Sequence, residues 1–204
     1  MKYACFISHR CGKGRKQSLT LGFRKGLEEQ LDFRARLSEV FLDLHHNKGG
    51  DKLQFKLAEA LYQSYCMIVL YDPCYFDMHN QWCAREYYAM QKLEDIRIPQ
   101  HTRSMGLIIP VVIRGKDKLP EEIKNRMGSK YCFEDASVPE DFDTPKSRKK
   151  FNGIAAAIEE RMDAIGSLDC SDRGDFDLPS KTDQDFTDWL QTIVKPFGPP
   201  PFPI

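Results

Sequence analysis

With 204 residues, 41% of them hydrophobic and 29% charged, the chain is long enough for one ordinary folded domain and short for two. Lys plus Arg and Asp plus Glu each number 30, so the formal charge is zero and no global basic excess points to nucleic acid, although local basic patches stay open. The first residues run into only a short apolar stretch, too short for a signal-peptide core or a membrane span, so a cytoplasmic protein with no membrane and no nucleic-acid partner is expected.

Tyr3 to Ser8 (YACFIS) predicts a buried strand, with the polar stretch His9-Arg10-Cys11-Gly12-Lys13-Gly14 as the loop after it. A long basic segment follows, in which Phe23, Leu27, Leu31 and Phe33 have loosely helical spacing. Val40 to Leu44 is the second strand, followed by a polar loop ending in Gly49-Gly50. Leu53, Leu57 and Leu61 recur at i, i+4 and i+8 and predict a helix face. Cys66 to Tyr71 (CMIVLY) is a continuous apolar run, as expected of a parallel strand covered on both sides, and Asp72-Pro73 stops it.

Helical spacing returns from Gln81 to Leu93. Gly106 to Ile113 (GLIIPVVI) is a fourth strand whose Pro110 suggests an edge or an irregularity. Tyr131-Cys132-Phe133 is a weak fifth. Phe151, Ile154, Ala155, Ile158, Met162 and Ile165 mark the stripe of an amphipathic helix. Strands alternating with helices predict an α/β fold with a mainly parallel five-stranded sheet and helices on both faces.

After Gly166 the composition shifts, so residues 1–166 read as the domain and 167–204 as a C-terminal extension. The extension has an acidic loop, a short helical face (Phe186, Trp189, Leu190, Ile193) and a proline-rich tail. That tail reads as a segment lying on its own domain or disordered, or as a ligand for another module. Seven cysteines with no CxxC pair at zinc spacing read as reduced core thiols.

Four segments together resemble the Toll/interleukin receptor (TIR) domain family. Phe6-Ile7-Ser8-His9-Arg10 resembles its first-strand motif, and Val40-Phe41-Leu42-Asp43 its second strand. Leu70 to Tyr75 resembles its third strand running into a Ser-Pro-x-Tyr turn, with Asp72 where Ser is usual. Trp82-Cys83-Ala84-Arg85-Glu86 matches its Trp-Cys-x-x-Glu. The resemblance covers roughly residues 3 to 165. It is loose over the long stretch from Gly12 to Glu39, and beyond Gly166 the chain matches nothing in the family.

The resemblance implies a flavodoxin-like TIR fold and, from enzymatic members in bacteria, plants and animals, cleavage of NAD between nicotinamide and ribose. It places the catalytic glutamate at Glu86 and an aromatic partner at Trp82, one turn apart on one helix face. NAD is then the substrate and no separate cofactor is implied. Glu86 otherwise reads as a solvated helix glutamate paired with Arg85 or Lys92, and Trp82 as a core tryptophan. Ser8, His9 and Arg10 end the first strand at the sheet edge where ligands bind, and Arg10 suits ribose or diphosphate. Asp43 either faces that pocket or caps its loop. His45-His46 is rejected as a metal site, because adjacent side chains diverge and no other ligand sits at a suitable spacing. In the family this loop packs against a neighbouring TIR domain, which makes His45, His46 and Gly49 assembly residues; a plain surface loop is the other reading.

A short TIR protein with no fused effector is similar to the signal-producing TIR proteins of bacterial anti-phage systems of the Thoeris type. The product is then a cyclic ADP-ribose isomer sensed by a separate effector protein, or ADP-ribose. The alternatives are a non-enzymatic TIR adaptor acting by self-association, which commonly lacks this glutamate, and a nucleoside deoxyribosyltransferase-like enzyme.

Overall fold

The computed structural model describes residues 1–35, 37–43, 51–98, 105–126, 131–167, 170 and 173–194. Among these residues four parallel strands form one sheet in the order β2-β1-β3-β4: β1 (Tyr3–His9), β2 (Val40–Leu42), β3 (Ser64–Tyr71) and β4 (Ile108–Val112). All eight residues of β3 are buried, which explains why its run is apolar without alternation. Pro110 lies on β4, an outer strand of the sheet, where a missing N–H is best tolerated. The expected fifth strand is reduced to one bridge, Val112 to Cys132, flanked by two backbone hydrogen bonds.

Among the described residues six α-helices cover the sheet: α1 (Arg15–Arg34), α2 (Asp51–Tyr62), α3 (Trp82–Arg97), α4 (Glu121–Asn125), α5 (Pro145–Ile165) and α6 (Gln184–Val194). Leu19, Phe23, Leu27 and Leu31 bury one face of α1 at strict i, i+4 spacing. Phe33 was expected on that stripe; two residues past Leu31 it falls on the opposite side and is 87% exposed. Alternation divides the core into two layers. Cys5, Ile7, Cys66, Ile68 and Leu70 pack with α1 and α5. Phe6, Met67, Val69 and Tyr71 pack with α2, α3 and α6.

The C-terminal helix belongs to the second layer. Phe186, Leu190 and Ile193 are buried against α3, and Trp189 lies in an aromatic group with Phe76, Tyr87 and Tyr88. The proline-rich tail lies outside the described residues. Among the described residues, no helix is long and apolar enough to cross a membrane.

Candidate active site

The connections after β1 and β3 leave toward opposite faces, β1 into α1 and β3 into α3, although the two strands are neighbours. Such a reversal opens a crevice at the carboxyl ends of the two strands, where ligands of open parallel sheets bind. Ser8, His9 and Arg10 sit at the end of β1, and Asp72 at the end of β3. Asp43 follows directly on β2.

Alternation decides which way each of these side chains projects. Ser8, two residues beyond Phe6, faces the α3 layer. There its Oγ donates to Glu86 Oε2 at 2.6 Å, and Tyr75 Oη lies 2.6 Å from the same Oγ. Ser8 and Glu86 are 0% exposed and Tyr75 is 1% exposed. A hydrogen bond to a buried ionised carboxylate contributes about 1.5–3 kcal/mol, and without such partners the charge would not be tolerated. Burial, reinforced by the charges of Cys83 and Glu86, pushes the Tyr75 phenol well above its ordinary range. The Cys83 thiol is pushed up for the same reasons, burial first and Glu86 next.

His9 projects to the other layer. Its Nε2 lies 3.7 Å from Cys11 Sγ, and it lines a cleft with Arg10, Lys16, Thr20, Asp72 and Arg114 over an apolar floor that includes Phe23 and Leu70. Arg10 Nη2 is 3.2 Å from Asp77 Oδ2, and Lys16 Nζ is 3.3 Å from Asp72 Oδ2, so two of the three cations lining this cleft are partly neutralised. Asp43 is buried, with Lys56 Nζ 3.9 Å from its Oδ1.

Trp82 opens α3 and is half-buried, with the Arg85 guanidinium 4.5 Å from its ring centroid. Arg85 is the neighbour that an ordinary surface pairing with Glu86 would use. Instead its Nε donates to Pro179 O at 2.5 Å and its Nη2 to Gln54 Oε1 at 2.6 Å. Gln54 Nε2 donates in turn to Leu178 O at 3.3 Å, which ties the C-terminal segment to α2 and α3. Lys92, the other candidate partner, sits over the Tyr88 ring.

The structure therefore brings Ser8 to Glu86, sets His9 and Arg10 on a separate cleft of the same rim, and places Asp43 next to β2. His45, His46 and Gly49 lie outside the described residues. Tyr75 and Gln54 were given no role from sequence, and Arg85 only that of a surface partner for Glu86. A signal for Tyr75 existed: Asp72-Pro73-Cys74-Tyr75 is a turn in which Asp72 Oδ1 accepts the Cys74 N–H at 2.8 Å and Asp72 O accepts the Tyr75 N–H at 2.9 Å.

No curated protein matches the chain. The sequence model of one family, described as TIR domain, matches residues 22–144, more than half of the chain, a stretch that begins after β1 and includes Trp82 and Glu86. On the strength of that match, and of a parallel α/β sheet whose crevice is flanked by the Trp-Cys-x-x-Glu helix, the chain belongs to the TIR domain family.

Proposed function

We propose that this TIR domain cleaves the bond between nicotinamide and ribose in NAD, with Glu86 as the catalytic carboxylate. The observation that carries the reading is a fully buried glutamate at the crevice between β1 and β3, held by the Ser8 hydroxyl. Nicotinamide in NAD is already cationic and departs as a neutral amide, so little general-acid help is required. The barrier lies in the oxocarbenium character that builds on the ribose. A fixed anion beside that sugar lowers the barrier because it needs no reorganisation as the charge develops.

His9, Arg10, Asp43 and Trp82 are the proposed substrate contacts. Arg10 suits the diphosphate or ribose, and Trp82 suits a planar ring. Ser8 serves the site through Glu86. The products are nicotinamide with ADP-ribose or a cyclic ADP-ribose isomer, a signal for a separate effector in anti-phage defence. Self-association through the loop that contains His45, His46 and Gly49 completes the reading, with NAD as substrate and no further cofactor.

A second reading, a TIR scaffold without activity, is favoured by one fact: Glu86 has no exposed surface, so a sugar reaches it only after a covering group moves. Glu86→Gln separates the two. For an enzyme the variant melts close to the parent and loses about a thousandfold or more of NAD cleavage, read by chromatography and mass spectrometry of the products. For a scaffold the parent protein, concentrated and crowded, leaves NAD intact.

A further inference from the structure

A serine hydroxyl carries one proton, and the geometry at Ser8 assigns it. Oγ donates to Glu86 Oε2 at 2.6 Å, so the equally short contact to Tyr75 is a hydrogen bond only if the phenol supplies the second proton. Tyr75 keeps that proton through the neutral range, because burial and the nearby carboxylate oppose its ionisation. The ring is fixed as well. The Tyr75 backbone N–H is held by Asp72 O in the turn after β3, and the ring packs edge-on against Phe76 with centroids 4.9 Å apart. The chain of donors therefore runs one way, from Tyr75 through Ser8 to Glu86.

We propose that Tyr75 is a positioning residue for Glu86, acting through Ser8: by donating to Oγ, it commits the serine proton to the carboxylate, and so orients Glu86 and favours its charged form over the protonated one. This deepens the reading of Glu86 as the working anion and rests on it. Hydrogen bonds in a chain polarise one another, so the phenol strengthens a bond that it does not itself make. Titratable or charged groups coupled to Glu86 include Tyr75 from the turn, and Cys83 and Arg85 from α3. Arg10, Asp72 and Cys11 act on Cys83 from the strand ends. His9 and Asp43 are buried at the same rim, His9 on the opposite face of β1. Cys83 and Tyr75 stay protonated and Arg85 stays charged below pH 8, so none of these three titrates with the carboxylate.

The test is a titration of the Glu86 side-chain carboxyl by carbon NMR in the protein without substrate, its signal identified by its loss in Glu86→Gln. Ser8→Ala should raise the midpoint by about one unit, the loss of one hydrogen bond to a charged acceptor. Tyr75→Phe should raise it by a few tenths, in keeping with cooperative strengthening of about 10–30% per bond. In the Ser8→Ala background, Tyr75→Phe should add nothing, and Ser8→Thr should restore the parental value. The acid limb of kcat/KM for NAD should move in parallel, with KM little changed.

In the unmutated protein the chemical shift of the Tyr75 ring carbon that bears the hydroxyl should move with the Glu86 midpoint while the phenol stays protonated, a readout that holds even if a variant fails to fold. An unmoved midpoint in Tyr75→Phe overturns the proposal. So does a shift that persists without Ser8, or a Tyr75 signal blind to Glu86. If the parent protein does not cleave NAD, the assignment of activity fails while the titration still decides the relay.

Discussion

Arg85 does at residue scale what its neighbours in sequence do not reveal. It is buried, its pKa is lowered by that burial, and it holds one acceptor on α2, one in the C-terminal segment and the face of Trp82 together. Arg85→Ala leaves Gln54 Oε1 and Pro179 O short of a donor at a cost of about 2–3 kcal/mol, a drop of roughly 4–12 °C in Tm for a domain of this size. Arg85→Lys should recover little, because an ammonium cannot fork between two acceptors while stacking on an indole. Thermal melts of the two variants check this, and a lysine variant as stable as the parent would refute it. The same residue shows what the sequence conceals. The pattern around Trp82 and Glu86 is local and legible, whereas the Ser8 partners lie 67 and 78 residues away and leave no periodic trace.

At the scale of elements, α1 and α5 meet at a glycine. A Cβ built on Gly26 would lie 2.6 Å from Phe151 Cε2, and Phe151 is itself fixed among Phe23, Phe133 and Phe142. Alanine gains about 1 kcal/mol in helix propensity, but overpacking a locked aromatic group costs about 1–3 kcal/mol. Gly26→Ala should therefore lower the urea midpoint with the slope unchanged, against the propensity scale; a raised midpoint would show that the rings can shift. Elements governed by one uninterrupted rule were readable in advance: the apolar run of β3, the stripe of α5, the edge position of Pro110. Phe33 failed because its neighbours keep a four-residue rhythm that it breaks. The segment at Tyr131 to Phe133 failed as a strand because only Cys132 pairs with Val112, which three apolar letters do not disclose.

Across the whole molecule, the seven cysteines are free thiols, and three lie deep in the two core layers. Burial raises Cys66 to about 12 and holds Cys5 and Cys83 well above their usual 9. The folded chain keeps these protons where the unfolded chain releases them, so stability is intact below about pH 8.5. It then falls as pH rises, by about 1.4 kcal/mol per thiol per pH unit while the folded form stays protonated. Urea unfolding at pH 8 and pH 10 measures this. Cys66→Ala should flatten the decline, and equal stability at both values would show that the thiols are not sequestered.

The alternation along β1 sets a reach. Ser8 and His9 are consecutive yet project to opposite sides of the sheet, one toward the carboxylate and the other toward the cationic cleft. A small nucleoside would engage one side of that divide. The proposed substrate, an elongated dinucleotide, would place its sugar on one side of the strand tip and its phosphates on the other.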